Sequence, residues 1–202
     1  MIRTAPLPAG VQLQPLQSHL DNRGSLTEVF REEWTNGVEP VQWNFLRSAP
    51  GVMRGVHVHV VHDDLVIALE GQATLGLRDV REASQTGGMA TTVLLSSAAP
   101  TVVVIPHGVI HGFLFHEPTT LLIGTTNYYD PADDVECLWS DPELEIPWPA
   151  VPTLMSDRDR AAQPLSVLLE RIRPWQPFAP GEAGSGASSG PAGRIASQPA
   201  SR

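Results

Sequence analysis

The sequence predicts an all-β fold, a small barrel or sandwich carrying one short helix near its C-terminus. Three observations lead there. Between about residues 25 and 129, short β-branched runs alternate with turn signals at roughly 8–12-residue spacing. No strand–helix–strand alternation occurs, and no glycine-rich loop opens a helix. Apolar residues at helical spacing are confined to one late stretch. With 202 residues and 42% hydrophobic content, the chain can bury one sizeable core, which is placed in a single domain over residues 1–178.

The elements follow in order. Candidate strands are residues 26–30, 42–46, 56–60, 65–69, 73–77, 91–95, 102–105, 112–115 and 120–127, each rich in Val, Ile, Leu, Thr or Phe. Glu70-Gly71 and Glu117-Pro118 are read as hairpin turns, and Gly87-Gly88 as a longer loop. A Trp- and Pro-rich stretch from Trp139 to Pro152 is expected to wrap over the barrel. Helix is predicted over residues 163–173, where Leu165, Leu168, Leu169 and Ile172 form one stripe and Pro174 ends it. From residue 179 the composition is Gly, Ser, Ala and Pro with almost nothing to bury, so a disordered tail is expected over 179–202.

Composition excludes several function classes. The net charge is −9 and the pI about 5.1, without a basic run, which argues against nucleic acid and anionic membrane as partners. All thirteen positively charged side chains are Arg, so Schiff-base chemistry on a lysine is excluded. The single cysteine, Cys137, cannot form an internal disulfide and reads as a small buried hydrophobe. No leader-like apolar segment and no 18-residue apolar run occur, and a cytoplasmic location is expected.

The residues that carry chemistry lie in two segments. In GVMRGVHVHVVHDDLVIALEG, residues 51–71, His57 and His59 stand at i and i+2 on one strand, so both imidazoles leave the same face. Asp64 follows. In IPHGVIHGF, residues 105–113, a turn through Pro106 and Gly108 delivers His111 into another apolar strand. Three imidazoles and one carboxylate among β-branched residues suit either proton transfer at carbon or metal binding. His62, His107 and His116 fall at turns or strand ends and are expected at the surface. Tyr128, Tyr129 and Trp139 are read as packing residues, and Gly55 and Gly112 as either a bulge or a close approach to ligand.

The ordered series of polar motifs is more specific than any one of them. Asp21-Asn22-Arg23-Gly24, Gln42-Trp43-Asn44, Arg54-Gly55-Val56-His57, Ile105-Pro106 with His111-Gly112-Phe113, Thr125-Thr126-Asn127-Tyr128-Tyr129-Asp130-Pro131 and Ser156-Asp157-Arg158-Asp159 occur in that order. In this the chain resembles the dTDP-4-dehydrorhamnose 3,5-epimerase family, over about residues 20–175. The resemblance implies a cupin jelly-roll barrel, a homodimer pairing through the strand around residues 26–30, a nucleotide-linked 4-keto-6-deoxyhexose as substrate, and no cofactor. It implies His57 as catalytic base and Asp159 as the carboxylate paired with it. Arg23, Glu28, Gln42, Asn44, Arg54 and His111 match positions lining the substrate site, with Arg23 and Arg54 on the diphosphate.

These types fit the chemistry. A ketone at C4 acidifies the protons at C3 and C5. A base of near-neutral pKa can remove one, and a carboxylate behind a histidine fixes its tautomer. Guanidinium forks hold a diphosphate bidentately. The sequence departs from the family at two places: Asp64 stands where a Lys is usual, and Ile123 stands where the family has its proton-donating Tyr. A second reading therefore stays open, in which His57, His59, Asp64 and His111 hold one divalent transition metal in an isomerase or oxygenase. A third is a catalytically degenerate cupin that only binds a sugar nucleotide.

Overall fold

Twelve strands and little helix make up the protein in the computed structural model, which describes residues 6–34 and 38–176. The tail expected from residue 179 lies outside the described residues. In chain order the strands are β1 (Gln12–Pro15), β2 (Ser18–Asp21), β3 (Gly24–Thr27), β4 (Gln42–Ser48), β5 (Met53–His59) and β6 (Asp64–Glu70). Then come β7 (Gln72–Asp79), β8 (Ala90–Ser96), β9 (Thr101–Ile105), β10 (Val109–Phe115), β11 (Thr119–Thr125) and β12 (Asp134–Glu136). They form two five-stranded sheets, ordered β1-β9-β6-β11-β4 and β12-β5-β10-β7-β8, with β2 and β3 as a separate hairpin. Every pairing between named strands is antiparallel. This is the jelly-roll arrangement expected from the resemblance.

Two turns read as hairpins are not hairpins. Glu70-Gly71 joins β6 to β7, and Glu117-Pro118 lies between β10 and β11; each carries the chain from one sheet to the other. The turn signals are real, because Gly71 has φ +72° and a Cβ there would lie 2.3 Å from the Pro118 carbonyl oxygen. A turn signal names a change of direction, not the strand that follows as a partner. Gly87-Gly88, by contrast, sits in the loop of the β7–β8 hairpin.

Three apolar layers follow from the period-two alternation of the strands. Leu75, Leu77, Phe113, Phe115, Val66 and Leu121 pack between the sheets. Leu65, Ile67, Val102 and Val104 pack on the other face of the first sheet, under Leu16, Val29 and Phe30. On the other face of the second sheet, Met53, Val56, Val58 and Ile110 meet Leu144 and the helix α2 (Leu165–Ile172).

That helix buries Leu165, Leu168 and Ile172 but leaves Leu169 partly exposed. It begins after Pro164 and passes into a 3₁₀ turn, Arg173–Trp175, that includes Pro174. A four-residue helix, α1 (Asp157–Arg160), adds to the expected elements; Ser156 caps it through the Asp159 N–H. The Trp- and Pro-rich stretch does wrap the barrel: Trp139 and Trp148 pack against the outer layer of the second sheet. Trp148 lies so close over β7 that a Cβ on Gly76 would meet its ring at 2.3 Å. Among the described residues, no helix is long and apolar enough to cross a membrane.

Candidate active site

A bulge in β5 sets the site. Opposite β10, His111 pairs with His57 but the next residue, Gly112, pairs with Gly55, so Val56 is the extra residue. Gly55 takes φ +76°, a left-handed conformation that glycine adopts without strain, and a Cβ there would lie 3.0 Å from the His111 carbonyl oxygen. A bulge thus accounts for Gly55 and Gly112, and Gly55 also lines the barrel cavity. Beyond it, Val56 and Val58 turn toward α2, while His57 and His59 turn into the barrel, where they line a cavity of about 180 Å³.

Four of the expected residues meet at the inner end of that cavity. His57 Nε2 lies 3.1 Å from His111 Nε2. Asp64 Oδ2 lies 3.0 Å from His111 Nε2 and 3.4 Å from His59 Nε2. Asp64, the first residue of β6, is only 5% exposed at its side chain and His111 2%, whereas His57 keeps 23% of its side chain open to the cavity. Gln42, Asn44 and Arg54 line the same cavity nearer its mouth. Gln42 donates to Asn44 Oδ1 at 3.1 Å and accepts from the Tyr129 N–H. Arg54 is braced by Ser48 Oγ at 2.7 Å. Ile123, on β11 between Asn44 and Val66, presents an apolar side chain to the cavity.

Other expected residues lie elsewhere. Asp159 forms no ion pair with His57. The carboxylate against that imidazole is Asp134 of β12, whose Oδ1 lies 3.1 Å from His57 Nδ1 without a hydrogen bond between them. Asp134 Oδ2 accepts from Arg158 at 2.7 Å, and Arg158 also binds Glu136. β12 pairs with β5, bringing Asp134 opposite His59 and Glu136 opposite His57. Arg23 and Glu28 do not line the cavity of their own chain. Arg23 sits at the exposed tip of the β2–β3 hairpin bound to Asp21, and Glu28 is exposed and paired with Arg31.

Asp134, Asp133 and His62 escape a reading of the sequence. His62, expected at the surface, is buried, with its Nδ1 bound to Asp133 and its ring stacked on His59 at 3.8 Å. Asp133 also accepts from the N–H groups of Val60 and Val61, fixing the turn after β5. The signal that could have found this pair of carboxylates is in Asp134-Val135-Glu136-Cys137, where polar and apolar residues alternate as in a short strand. His107 is half-buried on Asp63 rather than free at the surface, while His116 is exposed as expected. Tyr128 and Tyr129 are exposed rather than packed, and Tyr129 contributes to the cavity wall. Cys137 is buried, which pushes its thiol up to about 12.

Electrostatics separate the imidazoles. Burial, with the neighbouring His111 and His59, holds His57 well below the ordinary histidine value, against the pull of Asp134 and Asp64. It therefore stands neutral near pH 7. Burial would lower His62 as well, but its bond to Asp133 and the nearby Asp64 push it up to about 9. Burial alone would raise the Asp64 carboxyl; the contacts of His111, His59 and His62 together hold it well below the usual carboxylate range.

Known proteins share this barrel. A profile of the dTDP-4-dehydrorhamnose 3,5-epimerase family matches residues 6–166. The dTDP-4-dehydrorhamnose 3,5-epimerase of Pseudomonas aeruginosa is 35% identical over 149 residues, 69% of this chain and 82% of that protein. The spore coat polysaccharide biosynthesis protein SpsL of Bacillus subtilis is 32% identical over 143 residues, 69% of this chain and 95% of that protein. Among solved structures, the epimerase RmlC of Legionella pneumophila in complex with dTDP-4-keto-L-rhamnose superimposes with a TM-score of 0.74 at 30% identity. It covers 81% of this chain and 92% of its own. ChmJ, a 3'-monoepimerase of Streptomyces bikiniensis in complex with dTDP-quinovose, gives 0.75 at 29% identity, covering 84% and 90%. Barrel, motif order and relatives agree: the chain belongs to the dTDP-4-dehydrorhamnose 3,5-epimerase family, with its cupin jelly-roll fold.

Proposed function

We propose that the protein acts on a nucleotide-linked 4-keto-6-deoxyhexose in polysaccharide biosynthesis, with His57 removing a proton from the carbon beside the ketone. The observation that carries this reading is the position of His57, which keeps 23% of its side chain open to the cavity, with Nε2 beside His111 and Nδ1 3.1 Å from Asp134. A carboxylate on the Nδ1 side steadies the imidazolium that forms when the ring takes a proton. The cavity is smaller than the ~300–1,000 Å³ of whole-ligand pockets. It suits the sugar ring, with the diphosphate along the rim beside Arg54. The reaction exchanges protons only, so it consumes no redox cofactor. Ile123 offers no proton where the family places a tyrosine, which favours exchange or inversion at one carbon over inversion at two.

We also infer a homodimer. β4 is the edge strand of the first sheet and exposes Trp43 and Phe45, and the hairpin exposes Leu20 (81%) and Leu26 (65%). Pairing through these surfaces would carry Arg23 and Glu28 toward the cavity of the other subunit and so complete the substrate rim. The acidic composition and lone cysteine fit a cytoplasmic setting.

The test is uptake of solvent deuterium beside the ketone of dTDP-4-keto-6-deoxyglucose. His57→Ala should abolish exchange while ligand still binds, and Asp134→Asn should slow it by about 10–10⁴-fold by removing the charge that steadies the imidazolium. Asp159→Asn should leave it near wild type. Binding without any exchange in the wild-type protein would instead mark a sugar-nucleotide-binding cupin.

A further inference from the structure

We propose that Asn44 is a further catalytic residue, its side-chain amide donating a hydrogen bond to the ketone oxygen as that oxygen becomes an enolate. This role rests on the proton-exchange reading above and supplies a donor that the reaction needs. Removing the proton turns the C–H electron pair into a C=C bond and moves the carbonyl π pair onto oxygen. A proton or deuteron returned to the same carbon restores the ketone, so no oxidant or reductant enters. Charge gathers on the oxygen in the transition state, and one aimed donor there is worth ~10²–10³-fold in rate. Ile123 supplies none, and Asp64 brings a carboxylate to the same cavity.

A relay of hydrogen bonds fixes which end of the Asn44 amide is left to donate. The Tyr129 backbone N–H can only donate, and it meets Gln42 Oε1 at 3.1 Å. That orients the Gln42 amide, so Nε2 is the atom it turns to Asn44, donating to Oδ1 at 3.1 Å. The Asn44 carbonyl is thereby engaged, and its Nδ2 keeps two hydrogens to give. Flipping the Asn44 amide would set two N–H₂ groups against each other. Placement is constrained as well. Gln42 and Asn44 stand at i and i+2 on β4, so both leave the same face, and both line the cavity with His57. Asn44 is also the cross-strand partner of Ile123, so its amide stands beside the position that has no donor of its own. It is exposed in the single chain, which leaves the amide open to a bound sugar.

Other donors around the cavity are engaged. Arg54 gives Nε to Ser48 Oγ at 2.7 Å and reaches the Arg47 carbonyl oxygen at 3.4 Å, at the rim given to the diphosphate. Thr125 Oγ1 donates to the Asn127 carbonyl oxygen at 2.7 Å. His111 and His59 turn ring nitrogens to the Asp64 carboxylate at 3.0 and 3.4 Å, and His62 turns Nδ1 to Asp133. The rival donor is the hydroxyl of Tyr129, a residue 62% exposed.

The experiment takes two readouts on the full chain with dTDP-4-keto-6-deoxyglucose. Asn44→Asp keeps the shape but loses the N–H₂ group, and Asn44→Ala removes both ends of the amide. Each should lower kcat for solvent-deuterium exchange by about 10²–10³-fold while KM moves less than about threefold. Infrared difference spectra of the bound ligand, carrying ¹³C at C4, report donation to the ketone oxygen without turnover. Its stretch should be lowered in the wild type and return toward the free value in both variants. Gln42→Glu should act like them although Asn44 remains, because a carboxylate at 42 turns the Asn44 N–H₂ toward itself and its carbonyl toward the sugar. Asn44 is exposed on an edge strand, so the variants should fold, and circular dichroism checks this. Unchanged exchange in both Asn44 variants, or a fall with an unmoved stretch, overturns Asn44 as donor and leaves His57 as base. Loss of the lowered stretch in Tyr129→Phe but not in the Asn44 variants assigns the donation to the hydroxyl and overturns it too. Wild-type protein that binds the ligand without exchange overturns the proposed reaction; the stretch then decides alone, supporting the Asn44 hydrogen bond if lowered and lost in the variants and overturning it if not.

Discussion

At the scale of single residues, Gly55 governs the site through its backbone, in the wall of the cavity. Its φ of +76°, and the mere 3.0 Å that would separate a Cβ there from the His111 carbonyl oxygen, penalise any side chain. Gly55→Ala should cost about 1–2 kcal/mol in urea unfolding. It should also depress activity beyond that loss, since relaxing the bulge rotates His57 away from His111. Retention of full activity and stability would show that the bulge tolerates a Cβ. His57, His59, Asp64 and His111 are legible in sequence because strand periodicity places i and i+2 together and a Pro-Gly turn aims the next imidazole. Asp134 and His62 are not, because Asp134 on β12 meets His57 of β5, and His62 in the turn before β6 meets Asp133, neighbours only in space. Motif order alone points to Asp159, and the structure gives its expected place beside His57 to Asp134.

At the scale of elements, the β7–β8 hairpin is tied by one carboxylate. Asp79 is fully buried and accepts from Arg81, Ser84 and Thr86, while Arg81 reaches on to the Ala9 carbonyl of the N-terminal segment. Asp79→Ala should destabilise the fold by about 3–5 kcal/mol, since it strands the Arg81 charge in a buried place. Burial opposes ionisation of Asp79, but the bonds from Arg81, Ser84 and Thr86 prevail and lower its pKa. A lowered carboxyl stabilises the fold above its unfolded value near pH ~4, and that contribution is lost as the pH falls through the folded value. The stability gap between wild type and variant should therefore be constant from about pH 5 to 8 and narrow below ~4; a gap that widens in acid would contradict the pairing. Eight strands are legible from β-branched runs, while the one expected over residues 26–30 overlaps β3 only at Leu26 and Thr27. β1, β2 and β12 are not legible, because they are three or four residues long with polar positions that break the pattern.

At the scale of the whole molecule, the exposed aromatic edge predicts assembly. Light scattering at micromolar concentration should give the mass of two chains, and Phe45→Glu should shift it toward one. A wild-type monomer would refute the pairing. Sheet membership is the part of the architecture that sequence leaves dark, since Glu70-Gly71 and Glu117-Pro118 announce turns without saying that they change sheets. That same topology sets how the chain must find its shape. No strand of the first sheet pairs with the strand next to it in the chain; β1 waits for β9, and β4 waits for β11. Such a sheet cannot zip up from a local nucleus. The β7–β8 hairpin is the one sequential pair within the two large sheets, so it is where ordering can begin, with the first sheet condensing late onto a partly formed second one. The histidines of β5 and β10 and the aspartate of β6 then come together only in that last step, so the site is assembled at the end of folding, on the millisecond-to-second scale of non-local β-sheets.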